Sequence, residues 1–131
     1  MTKNQLNKIL ADHAAWLADN SKGKRADLSG TDLSGVNLIG VNFSYANLIG
    51  VNFRGADLRG VNFRGADLTG ADFRGADLRD ANFSHAGLGG ADLRYVNLNG
   101  ADLRGALLTN ADFRGADLSG ATIRNGWKLT K

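Results

Sequence analysis

From Ala26 to Asn125 the chain repeats one five-residue phrase twenty times, with no insertion and no skipped beat. The stretch from Val51 to Arg79, VNFRGADLRGVNFRGADLTGADFRGADLR, shows it most plainly. A period of five suits neither an α-helix nor a β-strand, whose side chains recur on one face about every 3.6 and 2 residues. The backbone must therefore change direction once in each phrase.

Each position has its own chemistry. The third is apolar in every phrase, from Leu28 and Leu33 to Leu118 and Ile123, and holds all six Phe. The first is small or β-branched, mostly Ala or Val. Apolar residues at fixed spacing with polar ones between them mark the buried side of a repeating unit, so both positions face inward. The second is Asp or Asn in seventeen phrases, the exceptions being Gly87, Leu107 and Thr122. These side chains bond nearby backbone and so suit a bend. The fourth is Arg, Ser, Thr and similar, hence solvated, and the fifth is Gly in fourteen phrases. Glycine fits a tight or left-handed corner at least cost. Units that cannot bury their apolar side alone must stack on one another, which makes the chain a solenoid.

The A(D/N)LXX phrases, such as Ala56–Gly60 and Ala101–Gly105, resemble the pentapeptide-repeat family over the whole of Ala26 to Asn125. That resemblance implies an all-β solenoid, a right-handed quadrilateral parallel β-helix with four phrases to a coil and about five coils. Cut at that interval, Leu28, Leu48, Leu68, Leu88 and Leu108 share one face and Leu38, Leu58, Leu78, Leu98 and Leu118 another. All six Phe fall on the two faces between. A two-phrase period sorts these columns equally well.

Three regions follow: residues 1–25 as an N-terminal capping helix and basic connector, 26–125 as the repeat, and 126–131 as a tail or partial cap. The spacing of Leu6, Ile9, Leu10, His13, Ala14 and Leu17 predicts a helix from Thr2 to about Asn20, with Thr2 and Gln5 as a capping box. Gly23 suits the reversal that follows. The helix is expected to lie over the open first coil, with Trp16 packed beside it, while Lys22, Lys24 and Arg25 remain solvated. At the other end, Trp127 and Leu129 are candidates to fold over the last coil or to make end-to-end contacts. An end-to-end dimer is a habit of the family.

The net charge of +3 divides unevenly: the repeat holds nine Arg against eleven Asp, and the flanks hold seven Lys or Arg against Asp12 and Asp19. With no Cys there is neither a disulfide nor a thiolate metal site. The chain also lacks Pro, as expected where each backbone donor serves a neighbouring coil. No leader-like or membrane-spanning run is present, so a cytoplasmic location is the default. Two distant His, no Glu and Asp regularly matched with Arg nominate no catalytic pair; neither enzyme activity, cofactor, metal nor small-molecule substrate is expected.

Partner contacts are sought where the pattern departs from itself, at Tyr45, His85 and Tyr95 on the corners. Leu107 adds an outward apolar residue. One column, Arg54, Arg74, Arg94 and Arg114, offers a basic stripe for nucleic acid. The competing reading is a ladder neutralised by Asp72, Asp92 and Asp112, and it is the one favoured. The leading function is a rigid structural or protein-interaction rod about 24 Å long. The resemblance also implies an alternative, a DNA mimic that binds DNA gyrase and modulates it or protects it from quinolones. A near-neutral rod spanning only about seven base pairs argues against it. A designed or consensus scaffold is the remaining reading.

Overall fold

The computed structural model describes residues 1–124 together with the backbone of Lys128 and Leu129. Helix α1 spans Lys3–Ala18, starting one residue later and ending two residues earlier than the sequence expectation. Thr2 closes its start as predicted: the Thr2 hydroxyl accepts the Gln5 amide at 3.1 Å and Gln5 Oε1 accepts the Thr2 amide at 2.7 Å. Asp19 is extended and ends the helix, and the chain reverses through Gly23 at φ +63. A β-carbon there would collide with the Asp12 carbonyl and the Trp16 amide, so only glycine lets the connector close against α1.

The repeat then coils, and its backbone hydrogen bonds explain why each position needs its residue. Position three donates to the position-two carbonyl one coil on, as Leu28 does to Asn47 at 2.9 Å. Position five donates to the position-four carbonyl one coil on, as Gly30 does to Ile49 at 2.8 Å. Position two donates backward, as Asn47 does to Ala26 at 3.0 Å, and position one closes a turn on the preceding third position, as Thr31 does on Leu28 at 3.0 Å. With φ near +69 at Gly30 and ordinary φ at Ser29, that turn is type II.

Between stacked coils of the described residues, the position-four amide is the one that the backbone ladder leaves without a partner. The Asp or Asn two residues earlier accepts it, in every one of the seventeen phrases that have one; Asp27 to Ser29 and Asn62 to Arg64 are examples. The second position therefore supplies the acceptor that the backbone ladder does not give the position-four amide.

Single parallel bridges run from Asp27↔Asn47 to Asp102↔Thr122, always between residues twenty apart. This decides between the two-phrase and four-phrase periods: four phrases make one coil. Between corners the extended run is too short for a continuous strand, so the ladder is built of isolated bridges. Among the described residues, regular strands occur only at the end, where β1 (Ala121–Thr122) pairs antiparallel with β2 (Lys128–Leu129).

Inside the coil the third-position side chains form columns. Phe43 stacks on Phe63 at 5.8 Å, Phe63 on Phe83 at 5.0 Å and Phe53 on Phe73 at 5.2 Å, while the two Phe columns meet edge-on at 5.8–5.9 Å. Such pairs contribute about 0.5–1.5 kcal/mol beyond their burial. The core stays fully buried through Leu103, then opens: Leu108, Phe113 and Leu118 are only half-buried.

Helix α1 lies on the first coil. Leu6 joins the core cluster, and Ile9 and Leu10 pack against it. The fixing element is His13, fully buried: the Ala26 amide donates to Nδ1 at 2.9 Å and Nε2 lies 2.9 Å from the Ser44 carbonyl. Accepting at Nδ1 leaves the ring neutral with its proton on Nε2, so it ties the helix to both the start and the close of coil one. Desolvation lowers its pKa from the ordinary 6.5. Trp16 is half-buried and stacks on His13 at 5.7 Å. Arg25, expected to be solvated, donates from Nε to the Tyr45 carbonyl at 2.6 Å.

Candidate functional site

Because the interior is filled, anything this molecule recognises must meet its outer positions, four and five, or its ends. At the fifth position Tyr45, Asp80, His85, Tyr95 and Asn110 all adopt φ between 59 and 62, the left-handed geometry of the glycines they replace. For residues other than Gly this costs roughly 1–2 kcal/mol, less for Asn and Asp. Tyr45 is 47% exposed and Tyr95 71%.

These corner side chains reach over the next coil. Tyr45 covers Gly65, Asp80 covers Gly100, His85 covers Gly105 and Tyr95 covers Gly115, and in each case a β-carbon on the glycine would overlap the covering side chain. Each of these four bulky corners is thus followed twenty residues later by glycine, a signal already present in the sequence. Tyr45 and His85 share one corner with Gly65 between them.

The column of Arg54, Arg74, Arg94 and Arg114 is assembled as expected, but most of its charge is spent locally. Arg74, Arg94 and Arg114 each fork onto the Asp two residues earlier at 2.6–2.7 Å. Arg74 and Arg94 also reach the Asp one coil on, at 3.4 and 3.9 Å. The Arg114 hydrogen bonds hold the Asp112 carboxyl down to about 2, and Arg74 and Arg94 likewise lower Asp72 and Asp92. Arg54 follows Asn52 and makes no ion pair among the described residues.

Bridging stacks Asp72, Asp92 and Asp112 directly, and Asp57 on Asp77. In all of these, each Asp holds an Arg two residues on, as Asp57 holds Arg59 and Asp77 holds Arg79. Asp followed by Ser or Thr, such as Asp27 and Asp67, stacks only on Asn or Gly. Mixing with Asn is one relief of like charge; pairing with Arg is the second, and it permits consecutive Asp.

Leu107 projects, 69% exposed, and Ile39 and Ile49 are exposed near the first coils. Trp127 lies outside the described residues. Leu129 is placed only through its backbone, opposite Ala121. Among the described residues no helix is long and apolar enough to cross a membrane.

Comparison with known proteins agrees with this geometry. No curated protein matches the sequence. A pentapeptide repeat protein of the Arabidopsis thaliana thylakoid lumen is 46% identical over 73% of this chain and 63% of its own, with a TM-score of 0.46. The pentapeptide repeat protein Rfr23 of the cyanobacterium Cyanothece 51142 is 30% identical over 82% of this chain and 69% of its own, at 0.56. QnrB1, a plasmid-mediated fluoroquinolone resistance protein, is 32% identical over 72% of this chain and 59% of its own, at 0.39. This chain thus spans about two-thirds of the length of these solved relatives. The family model described as pentapeptide repeats (8 copies) matches residues 24–60, 56–94 and 86–125. Members of that family fold as a right-handed quadrilateral β-helix, and with its twenty-residue coil, inward third position and Asx-closed corners, this chain belongs to the pentapeptide-repeat family.

Proposed function

We propose that the protein is a non-enzymatic structural or protein-interaction module. Residues 26–125 act as a rigid rod of about five coils, 1–25 as its N-terminal cap and connector, and 126–131 as a tail at the other end. Tyr95 is the observation that carries this reading. A tyrosine held left-handed at φ 62 and left 71% exposed incurs strain without burying itself, and strain kept at a surface position points to use by a partner.

The partner is a protein meeting Tyr45, His85 and Tyr95, or a second copy meeting the half-buried Leu108, Phe113 and Leu118 end with Trp127 and Leu129. The Arg54, Arg74, Arg94 and Arg114 column gives nucleic acid little net charge to bind, since three of the four are paired with Asp. The same pairing disfavours the gyrase-binding DNA mimic, which needs unneutralised acid along the rod.

Glycine is the native residue at most corners, so Tyr45→Gly with Tyr95→Gly gives a folded comparison protein. Affinity capture from a lysate should recover a protein with wild type that the double variant loses. Identical capture by both removes the corners from the reading. Light scattering at micromolar concentration tests the second copy, and a monomer throughout excludes it. A supercoiling assay with DNA gyrase tests the mimic, and inhibition or quinolone protection would overturn the scaffold reading in its favour.

A further inference from the structure

Helix α1 leaves part of the first coil's mouth uncovered. A groove of about 470 Å³ lies there, with Leu6 and Leu10 of the helix and Leu33, Val36, Leu38 and Val41 of the coil in its lining. We propose that this groove takes an extended peptide from a partner protein, added to the edge of the coil as a strand of two phrases. The inference extends the interaction-module reading to a surface distinct from the tyrosine corners.

The backbone is the first support. In coil two, the amides and carbonyls of Asn52 and Asp57 and the carbonyls of Arg54 and Arg59 all bond to residues 31–40 of coil one, at 2.7–3.0 Å. Their equivalents in coil one are the amides and carbonyls of Asp32 and Asn37 and the carbonyls of Ser34 and Ile39. None of these bonds to another backbone group among the described residues. Exposure agrees: Asp32 and Asn37 are exposed where Asn52 and Asp57 are half-buried, and Val36 is half-buried where Ala56 is buried. Elsewhere the mouth is closed, with His13 at the Ser44 carbonyl and Arg25 at the Tyr45 carbonyl. It therefore admits a strand and not a whole coil. A row of free donors and acceptors beside an apolar groove is what strand addition uses.

The chemistry of the occupant is the second support, because the groove continues the interface that each coil makes with the next. The occupant's third-position side chains enter the groove above Leu33 and Leu38, so both are apolar and lie five residues apart. Its second residue stacks on Asp32. That carboxylate is followed by Ser34, which it holds in place of an Arg, and its other neighbour in the ladder is Asn52. Every Asp followed by Ser or Thr in the ladder meets only Asn or Gly. The occupant therefore carries Asn at that place, since a second carboxylate would be repelled.

The test is amide hydrogen exchange, followed by NMR on the isotopically labelled full chain, with an acetylated and amidated peptide, VNFRGADLRG, as probe. It copies residues 51–60, which occupy the same two faces one coil on. At about ten times its Kd, exchange at Asp32 and Asn37 should slow about tenfold while Asn52 and Asp57 stay unchanged. In the peptide, Phe53→Ser with Leu58→Ser should abolish this, and Asn52→Asp should weaken binding, more so at low salt than at high. Asn7 is exposed and lines the groove, so Asn7→Trp in the protein should fill it and block the peptide without lowering the melting temperature. Tyr45→Gly with Tyr95→Gly should bind the peptide as wild type does, so the groove and the corners stand or fail separately. No protection at millimolar peptide, or equal protection with the serine peptide or in Asn7→Trp, would overturn the proposal. So would protection of the same amides that rises with protein concentration alone, which would give the groove to a second copy.

Discussion

The ring of Tyr45 lies over Gly65, one coil further on, in the space a β-carbon would need. Gly70 has the same left-handed φ, near +68, but open space around it. Both Gly→Ala variants suffer the left-handed penalty of about 1 kcal/mol. Gly65→Ala must also displace the ring, and should cost roughly 0.5–1 kcal/mol more in denaturant unfolding. In a Tyr45→Gly background that excess should vanish, and its persistence would refute the steric account.

Gly87 interrupts the second-position column and leaves the Gly89 amide without the side-chain acceptor its counterparts have. Its φ is ordinary and a β-carbon would meet only Asp67 Oδ1, at 3.8 Å. Gly87→Asn should therefore raise stability by about 1 kcal/mol, from one added hydrogen bond and a less flexible unfolded chain. The reverse change at Asn62, Asn62→Ala, should lower it by a similar amount. Thermal melts of the two variants check both signs.

Arg94 lies between two ion-paired neighbours and serves Asp92, which stacks between Asp72 and Asp112. Arg94→Gln should destabilise by up to about 1 kcal/mol, with the loss shrinking as salt is raised. Adding Asp92→Asn, which keeps the amide acceptor and removes the charge, should recover most of it. A loss insensitive to salt would mean that packing of the arginine stem, and not charge, is what the column needs.

His13 gives the fold a pH dependence of definite sign. Its pKa is lowered in the folded protein, so its contribution is fully present above the ordinary 6.5 and declines as pH falls below it. His13→Ala should flatten that slope between pH 7 and about 5. It also leaves the Ala26 amide and Ser44 carbonyl buried and unbonded, at a cost of roughly 2–4 kcal/mol. Limited trypsin digestion should then cut after Lys24 or Arg25 much faster than in wild type.

Much of this was readable from the chain because each phrase carries its own local demands. The inward third position follows from a spacing of five, and the Asx acceptor and the Thr2–Gln5 box from residues at most three apart. What escaped depends on which residues lie twenty apart. Leu and Phe columns could not separate a two-phrase from a four-phrase coil, whereas the bridge from Asp27 to Asn47 does. His13 read as one more helix-face residue, since its partners Ala26 and Ser44 become neighbours only after the coil closes.

The ladder also has a polarity. In every coil the third- and fifth-position amides point toward the C-terminal side, and the second- and fourth-position carbonyls receive bonds from the N-terminal side. Bare ends of such a stack are mutually complementary, so identical copies could add head to tail without limit, as an open filament. Helix α1, held on coil one by His13, occupies one of those two ends. The same sixteen-residue helix that shields the core therefore also blocks head-to-tail growth of the stack into an open filament.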